Sequence, residues 1–413
     1  MRAFRFLALP LLVVVPVVWS QAQTDNQKTP PAASQPTPAA RPSTTVPPAA
    51  TTPPTPRRQA VSELRDALTK EEWDRVDRSV DKALAWLAKQ QENDGRFPTL
   101  EQAQPGVTSL CVLAFLSAGH QPGEGQYGDV INRAIDYVLK CQDTDGMFAV
   151  VAPEAVPVVR GPSHTAAYNH AITSLMLCEV YGQVSRERTT KVDLAIRLAL
   201  AVTTRMQTEP AKIDPRDKGG WRYYHARRAG ARSDLSVTGW QMKFLRSAKN
   251  AQFEVPDKMI EEGVKYVESV FQPDRGEFFY GHVIGEERYT TRGLMGAGIL
   301  TLALAGKHDT EMARKAGDWI LARPFNAYLQ IGHLFDRFHY SAYYCSNAMA
   351  QLGGDYWKKF FPVLSKCLLD AQSEAGPWNA ESGLDANFGP CYPTAMSVLS
   401  LTPAYQLLPI YQR

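Results

Sequence analysis

Ala83-x-x-Trp86-Leu87-x-x-x-Gln91-x-x-x-Gly95-x-Phe97 recurs, slot for slot, as Ala134-x-x-Tyr137-Val138-x-x-x-Gln142-x-x-x-Gly146-x-Phe148. Agreement at every slot marks an internal repeat, and a repeat decides the architecture before any single element does. Looser copies follow. Gln207 leads through a longer loop to Gly219-Gly220-Trp221, and Gly263-x-x-Tyr266-Val267 leads to Gln272, slipped by one, and Gly276-x-Phe278. Ala316-x-x-Trp319-Ile320 lacks the Gln, and Gln372-x-x-x-Gly376-x-Trp378 ends the series. Six copies make the globular region one array.

The chemistry of the unit explains its spacing. Ala83, Trp86 and Leu87 stand at i, i+3 and i+4, one face of an amphipathic helix. The Gly stops that helix by taking a backbone conformation other residues resist, and the aromatic beyond it packs back over the turn. A Gln in the last turn reaches free carbonyls or the backbone of the next repeat. After each motif comes a loop and a second, more apolar segment: 107–116, 170–180, 235–248, 294–305, 342–352 and 394–401. One amphipathic and one nearly all-apolar helix per repeat give an outer and an inner layer. The expected fold class is all-α, an α6/α6 toroid.

The motif resembles the Gln-Trp repeat of squalene-hopene and oxidosqualene cyclases, and the array is similar in layout to the protein prenyltransferase β subunit. The resemblance runs from about residue 60 to the C terminus and implies a functional cavity at one end of the inner helices. It also implies motifs that this chain lacks. The cyclases protonate an alkene with a carboxylic acid carried in Asp-x-Asp-Asp, and no such motif occurs, nor the Asp-Asp-x-x-Asp of ionising terpene synthases. Asp234, Asp336 and Asp385 are the nearest acids, each without an adjacent carboxylate, and Asp234 reads better as a helix cap.

The prenyltransferases hold zinc with Asp, Cys and His, and the run from Phe338 to Cys345 resembles their His-bearing helix start. Aligned on Tyr344-Cys345, the His slot holds Ser341. A shifted site would use His339 with Cys345 or Cys391. The run Gly389-Pro390-Cys391-Tyr392-Pro393 does not supply the thioester motif of complement-type toroids. Toroidal glycoside hydrolases and polysaccharide lyases work with paired carboxylates, or with a Tyr or His base beside an Arg. No cofactor is expected.

Loops preceding the inner helices converge on one mouth, which collects His164, Tyr168, His170, Asp234, Trp240, Tyr289, Arg292, His339, Tyr340, Tyr343, Tyr344, Asp385, Cys391 and Tyr392. Of these, His339, Tyr340, Tyr344, Asp234 and Asp385 are candidate catalytic groups. His164, Tyr168, Trp240, Tyr289, Arg292, Tyr343 and Tyr392 are candidate ligand-binding groups, since aromatic walls suit terpenoid, sugar and peptide alike. The basic run 222–232 reads as a solvated loop.

The ends set the compartment. Arg2 and Arg5 precede an apolar run that ends near Trp19, with Ser20 and Ala22 at the positions a signal peptidase reads. Residues 1–22 therefore read as a signal peptide, with an uncleaved tether as the alternative. Residues 23–58, rich in Pro, Ala and Thr, cannot bury enough surface to order and read as a semi-rigid linker. Residues 59–413 form the toroid. The expected location is periplasmic or extracellular, near a membrane if the tether remains.

A net charge of +3 without a strong basic block points away from nucleic acid. Six cysteines are too few for a disulfide scaffold; most sit in apolar helical patterns, and Cys345 with Cys391 is the pair to examine.

Two classes of function remain. One is a non-catalytic binding or scaffold module at the cell envelope, its partner a small apolar or glycan ligand or an envelope protein. The other is an enzyme in the same cavity, a cyclase or isomerase on a terpenoid lipid, or a hydrolase or lyase on a glycan. An apolar cavity with a buried carboxylate favours the lipid enzyme, and an open polar cleft with converging Tyr, His and Arg favours a glycan. A filled or shallow cup favours the scaffold.

Overall fold

The computed structural model describes residues 56–153, 161–209, 211–212, 214–224, 232–282, 289–330, 335–380 and 385–412, without the side chains of 56–60. The expected signal peptide and most of the expected linker lie outside the described residues. Helix α1 (Pro56–Arg65) starts two residues before the expected end of the linker, with proline at a first-turn position where its missing N–H costs nothing.

From there outer and inner helices alternate: α2 (Lys70–Gln90) outer, α3 (Gly106–Ser117) inner, α4 (Gly128–Lys140) outer, α5 (Pro162–Val180) inner, α6 (Arg186–Thr208) outer and α7 (Leu235–Asn250) inner. They continue as α8 (Asp257–Ser269) outer, α9 (Arg292–Leu304) inner, α10 (Glu311–Leu321) outer, α11 (Phe338–Leu352) inner, α12 (Gly354–Ala371) outer and α13 (Cys391–Leu401) inner. Each inner helix packs on the next, and α13 packs on α3, which closes the ring. The expected α6/α6 toroid is the observed fold. Every residue of α3 and α9 is buried, whereas α2, α4 and α10 bury one face only.

The motif residues act as the spacing predicts. Gly95, Gly146, Gly219, Gly276 and Gly376 all have positive φ. The Gln Nε2 stitches repeats together: Gln91 donates to its own Gly95 O at 2.9 Å and to Val130 O of α4 at 2.8 Å. Gln142 bonds Gly146 O and Ala195 O of α6, and Gln207 bonds Gly219 O and Met259 O of α8. Gln372 bonds Gly376 O and Ser79 O of α2, so the last repeat is tied to the first. In the fourth copy the turn at Gly276 closes a short hairpin of two-residue strands, β1 (Phe271–Gln272) with β2 (Glu277–Phe278).

A second periodic link ties outer turn to inner helix. The backbone N–H of the motif aromatic donates to a side chain in the first turns of the inner helix: Phe97 to Thr108, Trp221 to Thr238 and Trp378 to Thr394 through Oγ1, Phe148 to His170 Nδ1, and Phe278 to Met295 Sδ. Thr, His and Met thus fill one structural slot.

Inner helices begin earlier than the apolar runs suggest. α5 starts at Pro162 rather than near residue 170, and α11 at Phe338 rather than near 342. Their first turns carry polar and aromatic side chains, so the hydrophobic pattern starts late. His164, Tyr168, His339 and Tyr340 are consequently held on helices, not loops.

Candidate binding site at the mouth of the toroid

At the N-terminal end of the inner helices, Tyr168 of α5 donates through Oη to Ser236 Oγ of α7 at 2.9 Å. Ser236 Oγ in turn lies 2.6 Å from Tyr340 Oη of α11. Helices α7 and α11 are not neighbours in the ring, since α9 stands between them. This chain of hydroxyls therefore crosses the lumen.

Around it is an aromatic rim. The His164 ring stacks on Tyr223 at 3.9 Å, Tyr289 stacks on Tyr280 at 5.1 Å, and Phe335, 48% exposed, lies 4.7 Å from Tyr289. The hydroxyls of Tyr223 and Tyr280 bond to each other. The Arg222 guanidinium lies 4.5 Å from the Tyr223 ring centre and 5.2 Å from that of Tyr280, and its Nη1 donates to Asp234 Oδ2 at 3.2 Å and Tyr280 Oη at 3.1 Å.

Asp234 is fully committed. It caps α7 by accepting from the Val237 N–H at 2.8 Å and pairs with Arg222. Burial pushes its carboxyl up while Arg222 and the helix N–H groups pull it down. The phenols stay protonated at neutral pH: burial and the charge of Asp234 push Tyr223 up to about 12, and burial raises Tyr168, Tyr280, Tyr289 and Tyr340 as well. None is poised as a phenolate base.

Below the rim the lumen is filled. Trp240 of α7 stacks on Tyr343 of α11 at 5.5 Å, with Tyr344 edge-on at 5.7 Å. The Lys243 ammonium sits 3.0 Å from the Trp240 ring centre and donates to Tyr343 Oη at 3.0 Å; burial holds the amine well below its usual range. The floor is made by the turn Pro409–Tyr411. Tyr411 bonds Tyr343 through its hydroxyl and takes the Gln351 amide on its carbonyl at 2.8 Å, while the Ile410 N–H donates to Glu179. The hollow beside Tyr411 measures about 10 Å³, room for about one water. An open groove of about 310 Å³ is lined by α1, α2, Ala118, Tyr405 and Leu407, away from the mouth residues.

Of the residues singled out by sequence, His164, Tyr168, Asp234, Tyr289 and Tyr340 meet at the mouth. The structure engages the others in contacts of their own. Trp240, Tyr343 and Tyr344 are buried lumen packing, because the inner helices approach closely enough for their side chains to interlock. Arg292 is locked inside the wall by Asp336 at 2.7 Å and Gln330 O at 2.7 Å, stacked over Phe325. His339 is buried between loops, with Nε2 3.0 Å from Tyr328 Oη, whose proton goes to Asn379 O. His170 is buried against α6, filling the Thr slot. Asp385 pairs loosely with Arg337 at 3.9 Å, and Tyr392 packs on Phe388.

The metal candidates are not brought together. The Cys345 thiol donates to Arg292 O, Cys391 faces Cys111 of α3 rather than Cys345, and His339 is held by Tyr328. Among the described residues no group of three or more His, Cys, Asp or Glu side chains is placed to hold a metal, and all six thiols are free.

Sequence reasoning missed Tyr223, Tyr280 and Ser236, and it misread Arg222 as part of a solvated loop; residues 225–231 of that run lie outside the described residues. Arg222 directly follows the motif aromatic Trp221, a signal that the fold holds its backbone.

No family model matches the chain, and no curated protein does. Solved structures do. An α-1,6-mannanase of glycoside hydrolase family 76 from Salegentibacter sp. HEL1_6 aligns with a TM-score of 0.54 at 10% identity, over 80% of this chain and 99% of that one. The type II terpene cyclase MstE from Scytonema aligns with a TM-score of 0.54 at 14% identity, over 83% and 100%. A family 76 glycoside hydrolase from a bovine Bacteroides thetaiotaomicron strain gives 0.54 at 10%, over 80% and 77%. The likeness is one of fold. Both kinds of neighbour are α/α toroids, so the architecture stands and the chemistry is left to the residues.

Proposed function

We propose that the chain is an exported, non-catalytic binding module that holds a glycan in the aromatic mouth of its toroid. The observation that carries this reading is the contrast between rim and lumen. Trp240, Lys243, Tyr343 and Tyr344 occupy the space where a cyclase would need to fold an apolar substrate, which counts against a terpenoid lipid. The rim instead offers paired ring faces, His164 with Tyr223 and Tyr280 with Tyr289, and ring faces stack on the apolar faces of sugars.

Among the described residues, catalysis on that glycan lacks its groups. The mannanase is inactive when two adjacent aspartates are replaced, and this chain contains no Asp-Asp pair. Hydrolysis calls for two carboxyl groups flanking one bond. Asp234, the carboxylate bonded into the rim, is consumed by Arg222 and the α7 N terminus. Export, and a place at the cell envelope, rest on the basic and apolar N-terminal segment and the proline-rich stretch after it.

The test is a glycan-binding screen on the chain purified from the exported fraction, paired with native mass spectrometry. Retention of oligosaccharides at micromolar affinity without bond cleavage is the expected result. A co-purified lipid, or release of reducing ends on prolonged incubation, would overturn the reading.

A further inference from the structure

Resting on the glycan reading, we infer that the mouth selects acidic sugars, and that the unpaired edge of Arg222 is the seat for a uronate carboxylate. A guanidinium carries its donors on distinct edges. Nη1 of Arg222 is spent on Asp234 and Tyr280, both beneath or beside it. Nε and Nη2 meet no other described residue, and the Arg222 side chain keeps 27% of its surface exposed. That edge is the fork that takes both oxygens of a carboxylate at once.

The surroundings hold the fork rigid. Tyr223 and Tyr280 lie against the guanidinium, and their hydroxyls are tied to each other, so the arginine loses little side-chain freedom on meeting a ligand. The same rings lower the local dielectric and strengthen a charge-assisted bond made there. Asp234 neutralises the opposite edge, which keeps the empty site from carrying an isolated half-buried charge and leaves the Nε–Nη2 edge to the ligand.

A uronic acid ring supplies both features that this rim can read. Its ring face meets the His164–Tyr223 or Tyr280–Tyr289 platform, and its carboxylate lies coplanar with the guanidinium edge. A neutral sugar would leave the fork to water. A free carboxylic acid without the ring would leave the platforms bare.

The experiment is isothermal titration of the whole chain with oligosaccharides of galacturonate, glucuronate and mannuronate. Each is compared with its methyl ester and with a neutral oligosaccharide of equal length. The expected result is that at least one acid form binds on the order of ten-fold or more tightly than its ester, the loss of a charged hydrogen-bonded pair. Changing the ligand avoids any question of folding. Arg222→Lys, which keeps a positive charge for Asp234 but has no fork, is expected to erase the preference for acid over ester while retaining the wild-type thermal midpoint to within a few degrees.

Equal affinity for acid and ester, or neutral sugars binding best, overturns the acidic-sugar inference and leaves the glycan reading standing. No binding of any sugar, acidic or neutral, overturns both.

Discussion

His170 contributes an acid-sensitive part of the stability of the fold, and replacing it with the threonine used in the equivalent slot of three other repeats should remove that part. In the wild type Nδ1 accepts the Phe148 N–H at 3.4 Å, which fixes the proton on Nε2, 3.2 Å from Ala199 O and 3.1 Å from Thr203 Oγ1. Protonating Nδ1 would aim one N–H at another. Burial first of all, with no carboxylate to compensate, lowers the imidazole from its ordinary 6.5 to about 4.

The unfolded chain therefore gains a proton near pH 6.5 that the folded chain refuses until about pH 4, so the stabilisation is intact above pH 6.5 and is lost as pH falls through that window. A shift of two to three units is worth about 3 kcal/mol by pH 4 and roughly 2 kcal/mol by pH 5. The assay is urea unfolding of wild type and His170→Thr at pH 7 and pH 5. At pH 7 the variant should be less stable by roughly 1–2 kcal/mol, because the smaller side chain leaves a gap. At pH 5 that deficit should vanish. Parallel loss of stability in both proteins would refute the neutral buried imidazole and with it the equivalence of the slots.

Glu179 tilts the same profile the other way. Burial raises its carboxyl to about 7, so the folded state holds a proton the unfolded chain has released, and stability falls as pH rises from 4.5 to 7; Glu179→Gln should flatten that limb in urea titrations. Since the two windows overlap, the wild-type curve alone would look nearly flat, and the single variants are what separate the terms. Gln207→Ala removes two buried amide bonds, to Gly219 O and Met259 O, and should cost about 2 kcal/mol, more than Gln91→Ala, whose amide is half-buried; equal small losses would show that the glutamines do not stitch the ring. Lys243→Met keeps the volume and removes a buried amine with no carboxylate bonded to it, so it should be no less stable at pH 7. Because the lysine is held below its usual range, the wild type should fall further behind the variant as pH is lowered from 10, and a clear loss of stability in the variant would mean that the ring contacts outweigh desolvation.

The sequence alone determined the ring. Repetition of Gln, Gly and aromatic at fixed spacing is local information: the Gly must turn the chain, the Gln must find carbonyls a few ångströms away, and the apolar run beside it must be buried, so six copies lead to six helix pairs. It also placed Asp234 as a helix cap, because capping is decided within four residues. What only the tertiary structure decided is which polar and aromatic side chains reach the mouth. Tyr343, Tyr344 and Arg292 look like site residues on paper, yet they face the lumen or the wall. Whether a side chain on an inner helix meets solvent depends on how far α7 and α11 approach across the ring, a distance no local pattern contains. Arg222, Tyr223 and Tyr280 were legible as types but not as neighbours. Arg222 and Tyr223 lie more than fifty residues from Tyr280, and the packing of α7 against α9 in adjacent repeats is what brings them together.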